Sequence, residues 1–407
     1  MTIRDTIDAN WRREVDFLKA LVRVPSDNPP GDCARAGEVA AQELQALGFA
    51  VERHPVPKAL VEANGMKSAT NLIVRKTFGS GQGPIIALNA HGDVVPPGEG
   101  WTVDPYGAAE KNGALYGRGV AVSKSDFATY AFALLALEQN SGGLSGGIEL
   151  HFTYDEEAGG MIGPKWLIDQ GLTKATLAIS AGFSYAITTA HNGVLHLEVT
   201  VRGKQAHAAM PSTGVDALEA SVPVLAAIYA ERKRLAGILS KEKGIGSPQI
   251  TVGLISGGIN TNVVPDKITF RIDRRIVPDE NGAEVEKALV ALIEGALPKA
   301  SGASVACRRI MLAEPLRPLP GVEKMVASLQ KNAKAVLGVD IAPTGVPLYT
   351  DARHYAAAGI PTVLYGAGPR SILEANAHGA DEHLQLSDLR AATEVIAVTL
   401  ADLLASI

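Results

Sequence analysis

Apolar positions recur at helical spacing over residues 11–22 and again over 34–47. The second run closes at Leu47-Gly48-Phe49, a glycine placed to end a helix ahead of the strand FAVERHPV. The turn cluster VPSDNPPGD separates the two helices. From Pro84, PIIALNAHGDVV is almost continuously apolar, and GGIELHFTYDEEAGG from Gly146 repeats that texture. Strands read this way when helices cover both faces of their sheet. A helix predicted over 123–139 lies between them, so the first half of the chain reads as α/β.

The texture changes near Gly193. In LHLEVTVRG, Leu195, Leu197, Val199 and Val201 alternate with His196, Glu198, Thr200 and Arg202, and KITFRIDRR repeats the alternation with Ile268, Phe270 and Ile272. Strands of this type have one wet face. Helices predicted over 215–236 and 283–297, and a further strand SVACRRIML, complete a separate α+β module of about 120 residues inserted into the first domain. The α/β texture resumes with IPTVLYGAG as a buried strand and a closing helix from Ser387. The expected domains are therefore 1–192, 193–311 and 312–407, the first and last forming one α/β body.

With 46% hydrophobic and 20% charged residues among 407, the composition is that of an ordinary globular protein. A net charge of −5 provides no basic field for a polyanion, so neither nucleic acid nor an anionic membrane is an expected partner, and a small molecule is. The N-terminal stretch lacks an apolar core followed by a small-residue cleavage site, and no apolar run reaches the ~18 residues of a membrane span, so the cytoplasm is the expected address. Cys33 and Cys307 stand far apart without metal-ligand spacing.

His91 and Asp93 form an H-x-D at the end of a buried strand, with both side chains on one side of the backbone. A metal-bound imidazole commonly donates its other N–H to a carboxylate, and Asp93 suits that part. Asp155, Glu156 and Glu157 follow the strand ELHFTY; one carboxylate of such a pair can bind a metal while its neighbour takes a proton from water. Gly159 and Gly160 then form a turn or permit a close approach. His378 in ANAHGADEH and His207 in GKQAHAAMP lie in polar loops, where a lone histidine is as often merely exposed. Asn262 in INTNVVPD and Arg275 in IDRRIVP are candidates to hold a substrate carboxylate.

In order along the chain, VRVPSDNPPG, HGDVVPPGEGWTVDPY, LYGRG, YDEEAGG, GKQAHAAMP, GGINTNVVPD with DRR, TDARHYAAAGIPTVLYGAG and AHGADEH resemble the acetylornithine deacetylase, succinyl-diaminopimelate desuccinylase and aminoacylase family of metallopeptidase-like amidohydrolases. The resemblance covers nearly the whole chain. It implies a zinc-peptidase-like α/β catalytic domain with an inserted α+β lid and dimerisation domain, hydrolysis of an amide next to a carboxylate, and two metals bridged by water and an Asp. By resemblance, His91 matches a ligand of one metal, Asp93 its orienting partner, Glu156 the general base, and Glu157 and His378 ligands of the other metal. His207 matches a lid histidine that serves the partner subunit's site, and Asn262 and Arg275 match substrate contacts.

Two departures from that pattern change the expected chemistry. The bridging Asp of the family's GRG-x-x-D-x-K-G frame is Val122 here, and the acidic ligand that follows the paired glutamates by about two dozen residues aligns with Ala181. An apolar side chain cannot ligate a divalent cation, so His91, Glu157 and His378 are expected to hold one metal per subunit, with Glu156 left as base. Zinc or manganese is the expected ion, with iron or cobalt as alternatives. Asp126, one helical turn beyond Val122, is a weaker substitute ligand, and His191, His196 and His354 have no spacing to support them. In TGVPLYTDAR, Tyr349 would narrow a pocket wall and Asp351 is a further substrate-site candidate.

The expected function is metal-dependent hydrolysis of a C–N bond in an N-acyl amino acid or small peptide, by a homodimer joined through the lid, a higher oligomer remaining open. One alternative is aminohydrolase or deaminase-type removal of an amino group from a non-peptide, aromatic substrate. The other is a non-catalytic small-molecule binding protein that retains the fold.

Overall fold

Thr2 begins the first helix, Ile3–Val22, with a capping box: its hydroxyl accepts from the Asp5 amide at 3.1 Å while the Asp5 carboxylate accepts from the Thr2 amide at 2.8 Å. The cap extends the helix well ahead of residue 11, where the apolar periodicity starts. The computed structural model describes residues 2–405, and every structural statement concerns those residues.

Two compact units share the chain. One comprises 1–189, 318–344 and 350–407, and the other 190–317 with a short return segment, 345–349. The sequence boundaries at 193 and 311 differ by a few residues, and sequence reading left 345–349 with the first body. That segment joins the second unit through contacts remote in sequence, such as the Gly345 amide on the Lys243 carbonyl at 2.6 Å.

In the first unit the strands Ile85–His91, Gly146–Thr153, Leu177–Ser180 and Thr362–Leu364 run parallel at the centre of an eight-stranded sheet. The antiparallel strands Thr70–Phe78 and Val51–Pro55 extend it on one side. All eight residues of Gly146–Thr153 are buried, as the near-continuous apolar run requires. Helices Ile3–Val22, Lys124–Gln139 and Leu386–Leu404 pack together, and Phe17 meets Phe132 edge to face at 5.8 Å. The central strands end together, so His91-Gly-Asp93, Asp155-Glu-Glu157 and Ala181 emerge along one edge, the usual place for a site in an open α/β sheet.

In the second unit a four-stranded antiparallel sheet is ordered Gln249–Gly257, Lys267–Ile276, Gly193–Arg202, Ser304–Ala313. Leu195, Leu197, Val199, Val201, Ile268, Phe270 and Ile272 face a core shared with Val224, Ile228, Leu289 and Ile293 from helices Ala217–Leu235 and Gly282–Ala296. The opposite face carries the Glu198, Arg271 and Arg308 ion pairs. The mixed α/β fold expected from the sequence is present, with the α+β unit inserted in the first body.

Candidate metal centre

Asp93 organises the site. It is fully buried, and its two carboxylate oxygens divide four donors. Oδ1 accepts from the Glu156 amide at 3.1 Å and lies 3.3 Å from His91 Nδ1. Oδ2 accepts from the Glu157 amide at 3.1 Å and from Asn28 Nδ2 at 2.9 Å. His91 Nδ1 is also 3.0 Å from the Asp93 carbonyl, so this nitrogen carries a proton and Nε2 is the nitrogen left available to a cation. The Ser123 hydroxyl fixes the His91 backbone, accepting from its amide and donating to its carbonyl, each at 3.1 Å.

Glu156 and Glu157 begin a single 3₁₀ turn, Glu156–Ala158, closed by Gly159 at φ 105° and Gly160 at φ 67°. One ligand atom from each of His91, Glu156 and Glu157 lies within 4.8 Å of the others. His378 Nε2 stands 3.3 Å from Glu157 Oε1. The structure brings the residues expected from the sequence together: Glu156 stands in one cluster with His91 and Glu157, and His378 adjoins it through Glu157.

The electrostatics of the cluster are those of carboxylates crowded out of water. Loss of solvation, reinforced by Glu157, Asp351 and Asp93 and opposed by His91, pushes the Glu156 carboxyl well above the usual carboxylate range. Burial disfavours the charged form of His91, but its bond to Asp93 and the charges of Glu156, Asp93 and Glu157 prevail and raise its pKa well above the ordinary imidazole value. His378 is raised by its bond to Glu157. Excess negative charge, a histidine with a committed second nitrogen and carboxylates within reach of one point form a donor set that fits a divalent cation.

Val122 and Ala181, the two positions expected from the sequence to depart from the family's ligand frame, offer no donor side chain. Val122 and Ala181 are half-buried and pack against the main hydrophobic core. The Val122 amide lies 3.3 Å from Glu382 Oε1, which also accepts from the Ala121 amide at 3.0 Å, while Arg118 Nη1 donates to Glu382 Oε2 at 2.6 Å. This buried Arg118–Glu382 pair ties the Val122 loop to the His378 loop. Asp126 is no substitute ligand in this arrangement, because its carboxylate is turned to the Ala367 amide at 2.7 Å. His354 lies against the Gly159 carbonyl at 3.1 Å, and His191 and His196 belong to the second unit.

Asp351 immediately precedes the helix Ala352–Ala357 and is buried; loss of solvation raises its carboxyl to about 7. The remaining substrate-site candidates lie in the second unit. There the structure joins the His207 and Asn262 loops: His207 bridges to Val263, and the Ala208 amide donates to the Asn262 carbonyl at 3.0 Å. Arg275 Nε is held by Asp273 Oδ1 at 3.0 Å, and His196 lies on the other Asp273 oxygen at 3.0 Å. Tyr349 is half-buried in the return segment.

Sequence reading missed Asn28, Arg118 and Glu382 as parts of the site, and the backbone contact through which Ser123 serves it. For Asn28 a signal existed, an Asn ahead of two prolines in a turn; Ser123 and Glu382 matter through backbone contacts that no spacing announces.

A mixed α/β sheet whose parallel central strands gather a histidine and two carboxylates within 4.8 Å of one another, with an α+β unit inserted in the chain, has the donors a metallohydrolase needs. A model of Peptidase family M20/M25/M40 matches residues 87–402, and the chain belongs to that family. It is a hydrolase acting on C–N bonds. The chain is 28% identical over 391 residues to a succinyl-diaminopimelate desuccinylase of Acidiphilium cryptum, covering 94% of this chain and 96% of that one. It is 30% identical over 374 residues to an acetylornithine deacetylase of Myxococcus xanthus, covering 89% and 90%. Its fold matches the YXEP protein of Bacillus subtilis, described as a dinuclear metal binding peptidase of the M20 family, with a TM-score of 0.70, 16% identity and coverage of 98% and 100%.

Proposed function

We propose that this chain hydrolyses the amide bond of an N-acyl amino acid or small peptide-like substrate, with a single divalent metal per site and Glu156 as general base. The carrying observation is the convergence of His91, Glu156 and Glu157 within 4.8 Å, while Val122 and Ala181, where the resemblance led one to expect further ligands, offer only methyl groups and pack against the core. The names of the desuccinylase and deacetylase relatives support an N-acyl amino acid substrate.

His91, Glu157 and His378 would hold the metal, zinc or manganese by the hardness of the donors. When bound, the metal supplies Lewis acidity toward the scissile carbonyl and toward water. Asp93 keeps the His91 proton on Nδ1 and, through two amides, sets where the Glu156 and Glu157 carboxylates start. Glu156, whose crowding raises the proton affinity of its carboxylate, accepts in its ionised form a proton from water and delivers it to the leaving amine. Asn262, Arg275, Tyr349 and Asp351 remain substrate-site assignments, and His207 an oxyanion donor.

The chain would work as a dimer of two copies through the second unit. Its edge strand Gln249–Gly257 leaves Leu254 and Ile255 largely exposed, and helix Ala217–Leu235 leaves Val222 and Tyr229 exposed. Unpaired strand edges bearing apolar residues favour pairing with a second chain. Sedimentation measures this directly, a monomer refuting it.

Metal analysis of protein repleted with zinc, manganese, cobalt or iron, followed by a panel of N-acyl amino acids, dipeptides, arylamines and ureido compounds, tests the reading. One bound equivalent and amide turnover that Glu156→Gln lowers by about 10²–10⁴ are expected. Two tight equivalents sink the single-metal assignment, and full activity in Glu156→Gln sinks the base.

A further inference from the structure

The Glu156–Glu157 turn is held from two sides. In front, the Asp93 carboxylate takes both of its amides. Behind, the Gly159 carbonyl, two residues past Glu157, receives two side chains from the first turn of the short helix Ala352–Ala357: Arg353 Nη2 donates to it, and His354 Nε2 lies 3.1 Å away. Both side chains are buried, at 7% and 6% exposure. The approach is close: a Cβ on Gly160 would lie 2.1 Å from Asp351 Oδ1 and 2.9 Å from His354 Nε2. Gly159 is buried, so its carbonyl needs a protein partner, but one donor would satisfy it and the helix supplies two.

We propose that Arg353 and His354 are positioning residues for the Glu156–Glu157 pair, acting through the Gly159 carbonyl. A one-turn segment with two left-handed glycines behind it has little rigidity of its own. Anchored at its amides alone, it can pivot about Asp93 and carry the Glu157 carboxylate away from His91; the rear clamp removes that freedom. The proposal rests on Glu157 being a metal ligand, so its test includes a variant that probes that assignment separately.

The experiment is cobalt(II) binding to the full chain, followed by calorimetry and visible absorption, for wild type, His354→Leu, His354→Gln, Arg353→Lys and Glu157→Ala. Partners behind a metal ligand affect affinity by about 10–100-fold, and a loss of that size is expected for His354→Leu. His354→Gln, which keeps an N–H donor, should stay within a few-fold of wild type. Arg353→Lys keeps the charge but withdraws the planar donor, and should weaken cobalt in the same direction as His354→Leu; it decides the matter if the leucine variant does not fold. Wild-type cobalt affinity in folded His354→Leu or Arg353→Lys, with affinity lost in Glu157→Ala, overturns the clamp alone. Equal losses in the leucine and glutamine variants also overturn it, because the donor would then be irrelevant. Unchanged affinity in Glu157→Ala overturns the ligand assignment and the clamp with it.

Discussion

Asp93→Asn is a nearly isosteric change whose cost follows from the geometry. Each carboxylate oxygen serves two donors: Oδ1 the Glu156 amide and His91 Nδ1, Oδ2 the Glu157 amide and Asn28 Nδ2. Whichever way the new amide is turned, its NH₂ faces one of these pairs, and two donors lose their acceptor. Hydrogen bonds to a charged group contribute about 1.5–3 kcal/mol each, so the two lost bonds together cost about 3–6 kcal/mol before relaxation. Water reaching the site offsets part of this. His91 retains the Asp93 carbonyl at 3.0 Å, so its tautomer survives and the disturbance falls on the glutamate turn.

The assay has two arms. Thermal unfolding of the metal-free protein avoids stabilisation by bound metal. A loss of about 3 kcal/mol should lower the midpoint by several degrees in a chain of this size. Metal titration of the folded protein should show affinity about 10–100-fold weaker. A metal-free Asn variant that unfolds within about 1 °C of wild type and binds metal with unchanged affinity would refute the role of Asp93 as the organising carboxylate.

Placing carboxylates at both positions, in Val122→Asp/Ala181→Glu, should add one metal equivalent per chain if the single-metal proposal holds, read by elemental analysis. Val122→Asp alone, without metal, should be destabilised by about 1–3 kcal/mol, because it exchanges packed methyls for a charge. Gly160→Ala should be destabilised by more than about 2 kcal/mol, since φ is 67° and the new methyl meets Asp351, whereas Gly142→Ala, with nothing within 4 Å, should be neutral in the same denaturation assay. Glu14 is fully buried, and loss of solvation, opposed by Thr393 and Arg390, raises its carboxyl from 4.5 to about 8. The folded chain therefore keeps a proton that the unfolded chain has released, and Glu14's contribution to stability falls as pH rises from about 4.5 through 8, by at most a few kcal/mol. Glu14→Gln should flatten that fall; an identical pH profile would show that Glu14 does not carry it.

What sequence reveals of such a site depends on how far apart the partners are along the chain. The H-x-D of His91 and Asp93 and the adjacent glutamates were readable because each pair shares a strand end, and the buried strands before them were readable from continuous apolar runs. Val122 and Ala181 were readable as departures from a frame, and in the fold both remain apolar and pack against the core. The contacts that aim these groups span larger separations: Asp93 to the Glu156 amide crosses 63 positions, Asn28 to Asp93 crosses 65, and Arg353 to Gly159 crosses 194. A hydrogen bond to a backbone amide or carbonyl constrains only one side chain, so it leaves no spacing pattern to find. The Glu156 position shows the consequence. Sequence separates base from ligand by role, yet the fold puts a carboxylate oxygen of each of Glu156 and Glu157 within 4.8 Å of a His91 nitrogen, so the proposed difference in role has to come from how the turn that carries them is held.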